Sequence, residues 1–200
     1  CFLVTILAKN ARRNKRYHMR LFWFVLMLVL SAFADNAVLV NGEKGKIDGF
    51  SIGYFEDSED RLGFDRVMRQ EFKPVSNRLS FGYRSHPIWL KVTLRNTTDS
   101  TQSFVLAFEE PFLQTVDLYY QKHGRTYVQQ NGTNIPLAKR KLSHTNAHFP
   151  LSLKPNAQQI YYMKLETEFA TFGELFVYES GYYRSGAQRC RRNVAQHRAG

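Results

Sequence analysis

Cysteine is nearly missing from this sequence: there are two in 200 residues, and both, Cys1 and Cys190, lie in the terminal segments. No disulfide can form between them inside the central region, so a fold there rests on an apolar core alone. Acidic residues are missing from both ends. Residues 1–34 carry Lys9, Arg12, Arg13, Lys15, Arg16 and Arg20, and residues 181–200 carry Arg184, Arg189, Arg191, Arg192 and Arg198, with no Asp or Glu in either segment. These cations account for the whole formal charge of +11, and the 17 Lys and Arg left in residues 35–180 balance all 17 Asp and Glu. A neutral middle excludes a broad phosphate-binding surface. Its one concentrated basic run is Lys139-Arg140-Lys141, and nucleic acid is not an expected partner.

An apolar run long enough to cross a bilayer, about 20 residues, is also lacking. The longest, Leu21 to Leu30, follows Met19-Arg20 and closes on Ser31-Ala32-Phe33-Ala34. A basic start, a short apolar stretch and small residues at Ala32 and Ala34 predict a signal peptide over residues 19–34, cleaved near Asp35, and hence a periplasmic chain. Residues 1–18 precede this Met and are assigned as an upstream segment outside the mature domain. Residues 181–200 show no strand or helix period and are assigned as a disordered or non-native tail. Absent as well are a Gly-rich phosphate loop, a Gly-x-Ser-x-Gly elbow and an internal repeat. No catalytic residue, metal ligand or cofactor is assigned, and the chain is expected not to be an enzyme.

Residues 35–180 are assigned as one domain, and what fills it is Phe, Tyr, Val and Leu in short alternating runs broken by Gly, Pro, Asn and Asp. Residues 87–96 are the clearest strand. Ile88, Leu90, Val92 and Leu94 share one face, and Trp89, Lys91, Thr93 and Arg95 share the other. Further strands are predicted at 103–108, 115–121, 125–129, 147–153, 159–166 and 172–179, with one or two helical turns within 62–72. This spacing predicts an all-β sandwich.

The segments Gly49–Asp57, Phe81–Ser85, Ile88–Asn96, Glu109–Tyr120, Gly132-x3-Pro136-x3-Arg140, Phe149–Leu153 and Tyr161–Leu165 occur in an order that resembles a known family. It is the second type of extracellular domain of seven-transmembrane receptors with diverse intracellular signalling modules. The resemblance covers residues 49–178. It implies a jelly-roll-like antiparallel β-sandwich similar to carbohydrate-binding modules, displayed outside the bacterial inner membrane. It further implies membrane helices and a cytoplasmic output domain, a diguanylate cyclase or a histidine kinase, in the full-length receptor. No second apolar segment follows Ser180 in this sequence, so output is expected from outside these residues.

Four residues are candidate ligand contacts for a small, carbohydrate-like molecule: Trp89, Tyr119, Tyr127 and Arg140. Trp89 can stack on a sugar ring or pack in a core, and packing is the better-supported reading in mid-strand. Arg140 can hold a carboxylate or sulfate, or tie its loop to a sheet edge. Tyr119, Tyr120 and Tyr127 straddle a hairpin, and alternation buries at least one of the first two. Glu109 and Glu110 point to opposite faces as strand neighbours, which argues against a shared proton. His144-x3-His148 would align two imidazoles on a helix, but Phe149-Pro150 argues for a strand. The expected function is ligand sensing. The alternative is a periplasmic protein-interaction module without a small-molecule ligand.

Overall fold

A computed structural model describes residues 37–43 and 45–183 of the chain. The predicted upstream segment and signal peptide lie outside the described residues, as does the tail beyond Tyr183. The described strands are β1 (Val38–Val40), β2 (Lys46–Ile47), β3 (Ser51–Glu56), β4 (Lys73–Ser76), β5 (Arg78–Tyr83), β6 (Ile88–Asn96), β7 (Gln102–Glu109), β8 (Thr115–Lys122), β9 (Arg125–Asn131), β10 (Ala147–Leu153), β11 (Gln158–Glu166) and β12 (Ala170–Glu179). A single turn of helix, α1 (Phe64–Val67), precedes β4. All seven strands predicted from alternation are present, and the helical turn falls inside the predicted window. The short strands β1 to β5, set among charged and turn residues, carried no clear period of their own.

The strands form two sheets. The larger runs β4-β3-β6-β11-β8-β9, with β1 added beside the end of β6, and the smaller runs β10-β7-β12-β2, with β5 paired to the start of β12. Pairing is antiparallel except for β1 on β6. Strands distant in sequence therefore lie side by side, as β6 does with β11 and β7 with β12. The all-β sandwich expected from the sequence is the fold.

Alternation explains the core. Ile88, Leu90, Val92 and Leu94 of β6 face inward and meet Phe104, Leu106 and Phe108 of β7, Phe149 and Leu151 of β10, and Leu175 and Val177 of β12. The outer face of β6 is not polar throughout. Trp89 and Tyr162 pack there with Val67 of α1, flanked by Phe55, Phe64, Phe72 and Tyr119. Close approach of this cover requires Gly53, since a Cβ at that position would sit 2.7 Å from Cβ of Phe72.

Asn96, at the end of β6, is fully buried. Its side-chain nitrogen lies within hydrogen-bonding distance of the carbonyls of Ser100, Leu153 and Lys154, and its oxygen accepts from the Thr98 backbone. One amide thus ties the β6–β7 turn to the β10–β11 turn, which no apolar residue can do.

Candidate functional site

The two sheets leave β9 and β10 as edge strands on one side of the sandwich, and a groove opens between them. One hollow of about 500 Å³ lies between the β8–β9 hairpin and the end of β10, with Tyr120, Tyr161, Gln129 and Leu151 among its walls. A second hollow of about 410 Å³ shares Gln129 and Lys141 with the first and continues along β9 to Ile135 and Pro136. The hairpin is tight. Lys122 pairs with Arg125, and the two turn residues His123 and Gly124 take φ of 52° and 70°, the left-handed pair that a two-residue turn between twisted strands demands.

The wall is built by register. Tyr120 pairs with Tyr127 across β8–β9, and the neighbouring pair Tyr119–Tyr162 places Tyr161 beside Tyr120. Three rings therefore form a row, with centroids 5.3 Å apart for Tyr120–Tyr127 and 5.4 Å for Tyr120–Tyr161. One step deeper, Gln129 pairs with buried Leu118 and is itself only 5% exposed. Its Oε1 has no hydrogen-bond partner among the described residues. A buried amide oxygen left unpaired costs about 1–3 kcal/mol, so its position on the groove wall is suited to receiving a donor from a bound molecule.

The four sequence candidates separate. Tyr127, 41% exposed, stacks on Tyr120 at the groove. Tyr119 and Trp89 lie on the opposite face of the large sheet, ring to ring at 5.3 Å, and Trp89 is 2% exposed beneath the α1 segment. Neither offers an open platform to a sugar. The physical reason is that α1 caps what would otherwise be the solvent face of β6 and β8. Alternation put Tyr119 and Tyr120 on opposite faces, and the residue that lines the groove is Tyr120. Arg140 is taken up by its own loop: its guanidinium donates to the carbonyls of Gly132, Ile135, His144 and Thr145. This is the loop-tying reading. Its neighbours Lys139 and Lys141 line the groove instead. Arg140→Met is expected to lower stability by about 1–2 kcal/mol and to open the 132–146 loop to limited proteolysis, with the strands protected. An unchanged cleavage pattern would contradict this.

A polar cluster that sequence reading did not assemble lies on the outer face of the small sheet. Its centre is Ala107, paired with His148 on one side and Phe176 on the other. The small side chain lets Tyr178 reach diagonally across to Glu109, whose carboxylate accepts from Tyr178 at 3.1 Å, contacts His148 Nε2 at 3.2 Å and accepts from Asn146. Burial alone would raise the Glu109 carboxyl. The hydrogen bonds of His148 and Asn146, the attraction of His148 and the Tyr178 hydroxyl outweigh it and hold the group at about 2. His148 Nδ1 meets the Tyr183 hydroxyl at 2.9 Å. The hydrogen-bonded cluster thus includes Tyr183, which follows Ser180. His144 and His148 do come together, stacked at 3.8 Å, though His148 is held on a strand. Among the described residues no group of three His, Cys, Asp or Glu is arranged to hold a metal ion. Glu110 faces elsewhere and accepts from the Phe112 backbone. The only clue to this cluster in the sequence was the His144–His148 spacing, because Glu109, the 144–148 segment and the 178–183 segment lie 30 or more residues from one another.

No curated protein matches the chain. Among solved structures, a Bacillus thuringiensis Cry1Da tryptic core variant is similar over 72% of this chain and 24% of that chain, at 12% identity and a TM-score of 0.34. The model of the family described as 7TMR-DISM extracellular 2 matches residues 49–179, from just before β3 to the end of β12. This is the span in which the resemblance was read, and the chain belongs to the 7TMR-DISM extracellular 2 family.

Proposed function

We propose that this domain is the periplasmic ligand-sensing module of a bacterial transmembrane receptor, and that it binds a small carbohydrate-like molecule in the β9–β10 groove without chemically changing it. Its family is one of extracellular sensor domains, which supports a location outside the cytoplasm and a receptor with transmembrane and intracellular output modules. The observation that carries the ligand reading is the groove itself. Tyr120, backed by the stacked Tyr127 ring and by buried Tyr161, provides an apolar aromatic wall, and the buried Gln129 oxygen supplies an acceptor for a hydroxyl. No carboxylate lines either hollow among the described residues, which supports binding over hydrolysis.

Signalling needs a ligand that binds two receptor states unequally, and a tenfold difference biases the equilibrium by about 1.4 kcal/mol. Strand β10 is suited to carry that bias. Leu151 and Leu153 wall the groove, while His148 on the same strand holds Tyr183 just past β12. In this reading the chain continues to membrane helices and an output domain such as a diguanylate cyclase or histidine kinase. The test is thermal unfolding of the 200-residue chain against a sugar panel. A ligand at about 100 times its Kd adds roughly 2.7 kcal/mol and raises Tm by several degrees. Tyr120→Ala is expected to abolish the rise.

One observation favours the alternative, a protein-interaction module. Phe112, Phe169 and Phe172 are 70%, 58% and 49% exposed around an apolar hollow of about 270 Å³. Exposed aromatic clusters of this kind mark contact surfaces. A flat melting response to every sugar, together with a complex of defined stoichiometry that Phe112→Ser abolishes, would select this reading.

A further inference from the structure

We infer that the groove takes an anionic saccharide of more than one ring, polyhydroxylated units bearing carboxylate or sulfate groups; this rests on the reading of the groove as the ligand site. The charge asymmetry of the groove carries it. Lys122 and Lys154 border the first hollow, Lys139 borders the second, and Lys141 borders both. Not one Asp or Glu lines either hollow among the described residues, and none of these four lysines makes an ion pair with a described carboxylate. In a region of sequence whose cations and anions balance one for one, four such lysines along one groove are a local field rather than a share of a general excess.

The Lys139-Arg140-Lys141 run acquires a division of labour. Arg140 spends its donors on four backbone carbonyls and so fixes the loop. Its neighbours are thereby displayed on the groove, each as a compact charge. The second, independent observation is Gln129, at the junction of the hollows, whose buried Oε1 lacks a donor. An anion alone would not satisfy an acceptor oxygen, and a hydroxyl does. Lysines for the acid groups, the Tyr120 face for a sugar ring and an acceptor for a hydroxyl together describe an acidic sugar chain. The two adjoining hollows, of about 500 and 410 Å³, give room for neighbouring units.

The test compares ligands that differ only in charge: digalacturonate and dimannuronate against their methyl esters, and a sulfated disaccharide against its desulfated form, by calorimetric titration of the 200-residue chain. The expected result is that at least one acidic member binds about tenfold or more tighter than its neutral counterpart, and that the gap closes in 0.5 M NaCl and in Lys139→Gln/Lys141→Gln. Gln129→Leu should weaken the acidic and neutral members of a pair alike, by about fivefold or more, because it removes a hydroxyl partner and no charge. Neutral members binding as tightly as acidic ones, with no salt dependence, would overturn the charge inference and leave the groove as a sugar site. Acidic ligands that bind unaffected by all three substitutions would overturn the location. If no member of the panel binds while circular dichroism shows the folded sandwich, both this inference and the reading it rests on fail.

Discussion

Trp89→Ala is expected to destabilise the chain by about 3–5 kcal/mol, the range for truncating a fully buried large aromatic side chain. Trp89 sits at 2% exposure among Val67, Tyr119 and Tyr162, and its ring also lies near Lys164 Nζ, at 5.9 Å. The loss would extend beyond the cavity. Helix α1 is four residues long and its first turn has no side-chain cap, so it persists through packing rather than through its own hydrogen bonds. Removing the indole withdraws the surface on which it rests. Trp89→Phe should be far milder, about 1.5 kcal/mol or less. The indole Nε1 is buried with no partner among the described residues, so removing it relieves an unsatisfied donor and offsets part of the lost volume. Urea unfolding followed by circular dichroism measures both variants. A stacking platform for sugar would behave in the opposite way, with near-native stability and lost binding in Trp89→Ala.

Acid is the second large perturbation. The folded Glu109 carboxyl titrates at about 2 against an ordinary value of 4.5, because the hydrogen bonds and charge around it outweigh its burial. A depressed carboxyl contributes stability that is complete above pH 4.5 and disappears as pH falls towards 2. The shift corresponds to about 2–3 kcal/mol, the side chain being 24% exposed and so only modestly screened. Glu109→Gln should therefore cost about 2 kcal/mol at pH 7, roughly a quarter of that at pH 2.5, and almost nothing once the pH lies below the folded value of about 2. The quantity to measure is the difference in unfolding free energy between the natural chain and the variant at several pH values across that window, since other carboxyls contribute equally to both. Parallel curves would show that Glu109 is not the group responsible. Because the cluster also holds Tyr183 through His148, the same acid window should free the Tyr183 ring, visible as increased hydrogen–deuterium exchange at the end of β12.

Much of the fold was legible from period alone. β6 alternates over nine residues, and the strands β7 to β12 were each bounded by turn residues that appear as turns. What failed was the step from face to environment. Alternation says that Trp89 and Leu90 point apart, and that Tyr119 and Tyr120 do. It cannot say which side is capped by α1 and which opens on a groove, because α1 reaches β6 through contacts more than 20 residues distant in sequence. The same applies to Lys139-Arg140-Lys141. Its charge was visible, but that the middle residue turns inward to four carbonyls depends on where the loop returns to β10.

By itself the sequence determined the extended segments from β6 onward, where they turn, how charge is shared between the middle and the ends, and the family of residues 49–179. These are properties of neighbours within a few positions or of an ordered series of segments, and backbone sterics and burial express them locally. The tertiary structure alone decided the groove, the unpartnered Gln129 oxygen and the Glu109–His148–Tyr183 cluster. The cluster joins β7, β10 and the end of β12, remote along the chain, and the groove with Gln129 on its wall lies between the edges of two different sheets, so both arise only when the two layers close on a common core.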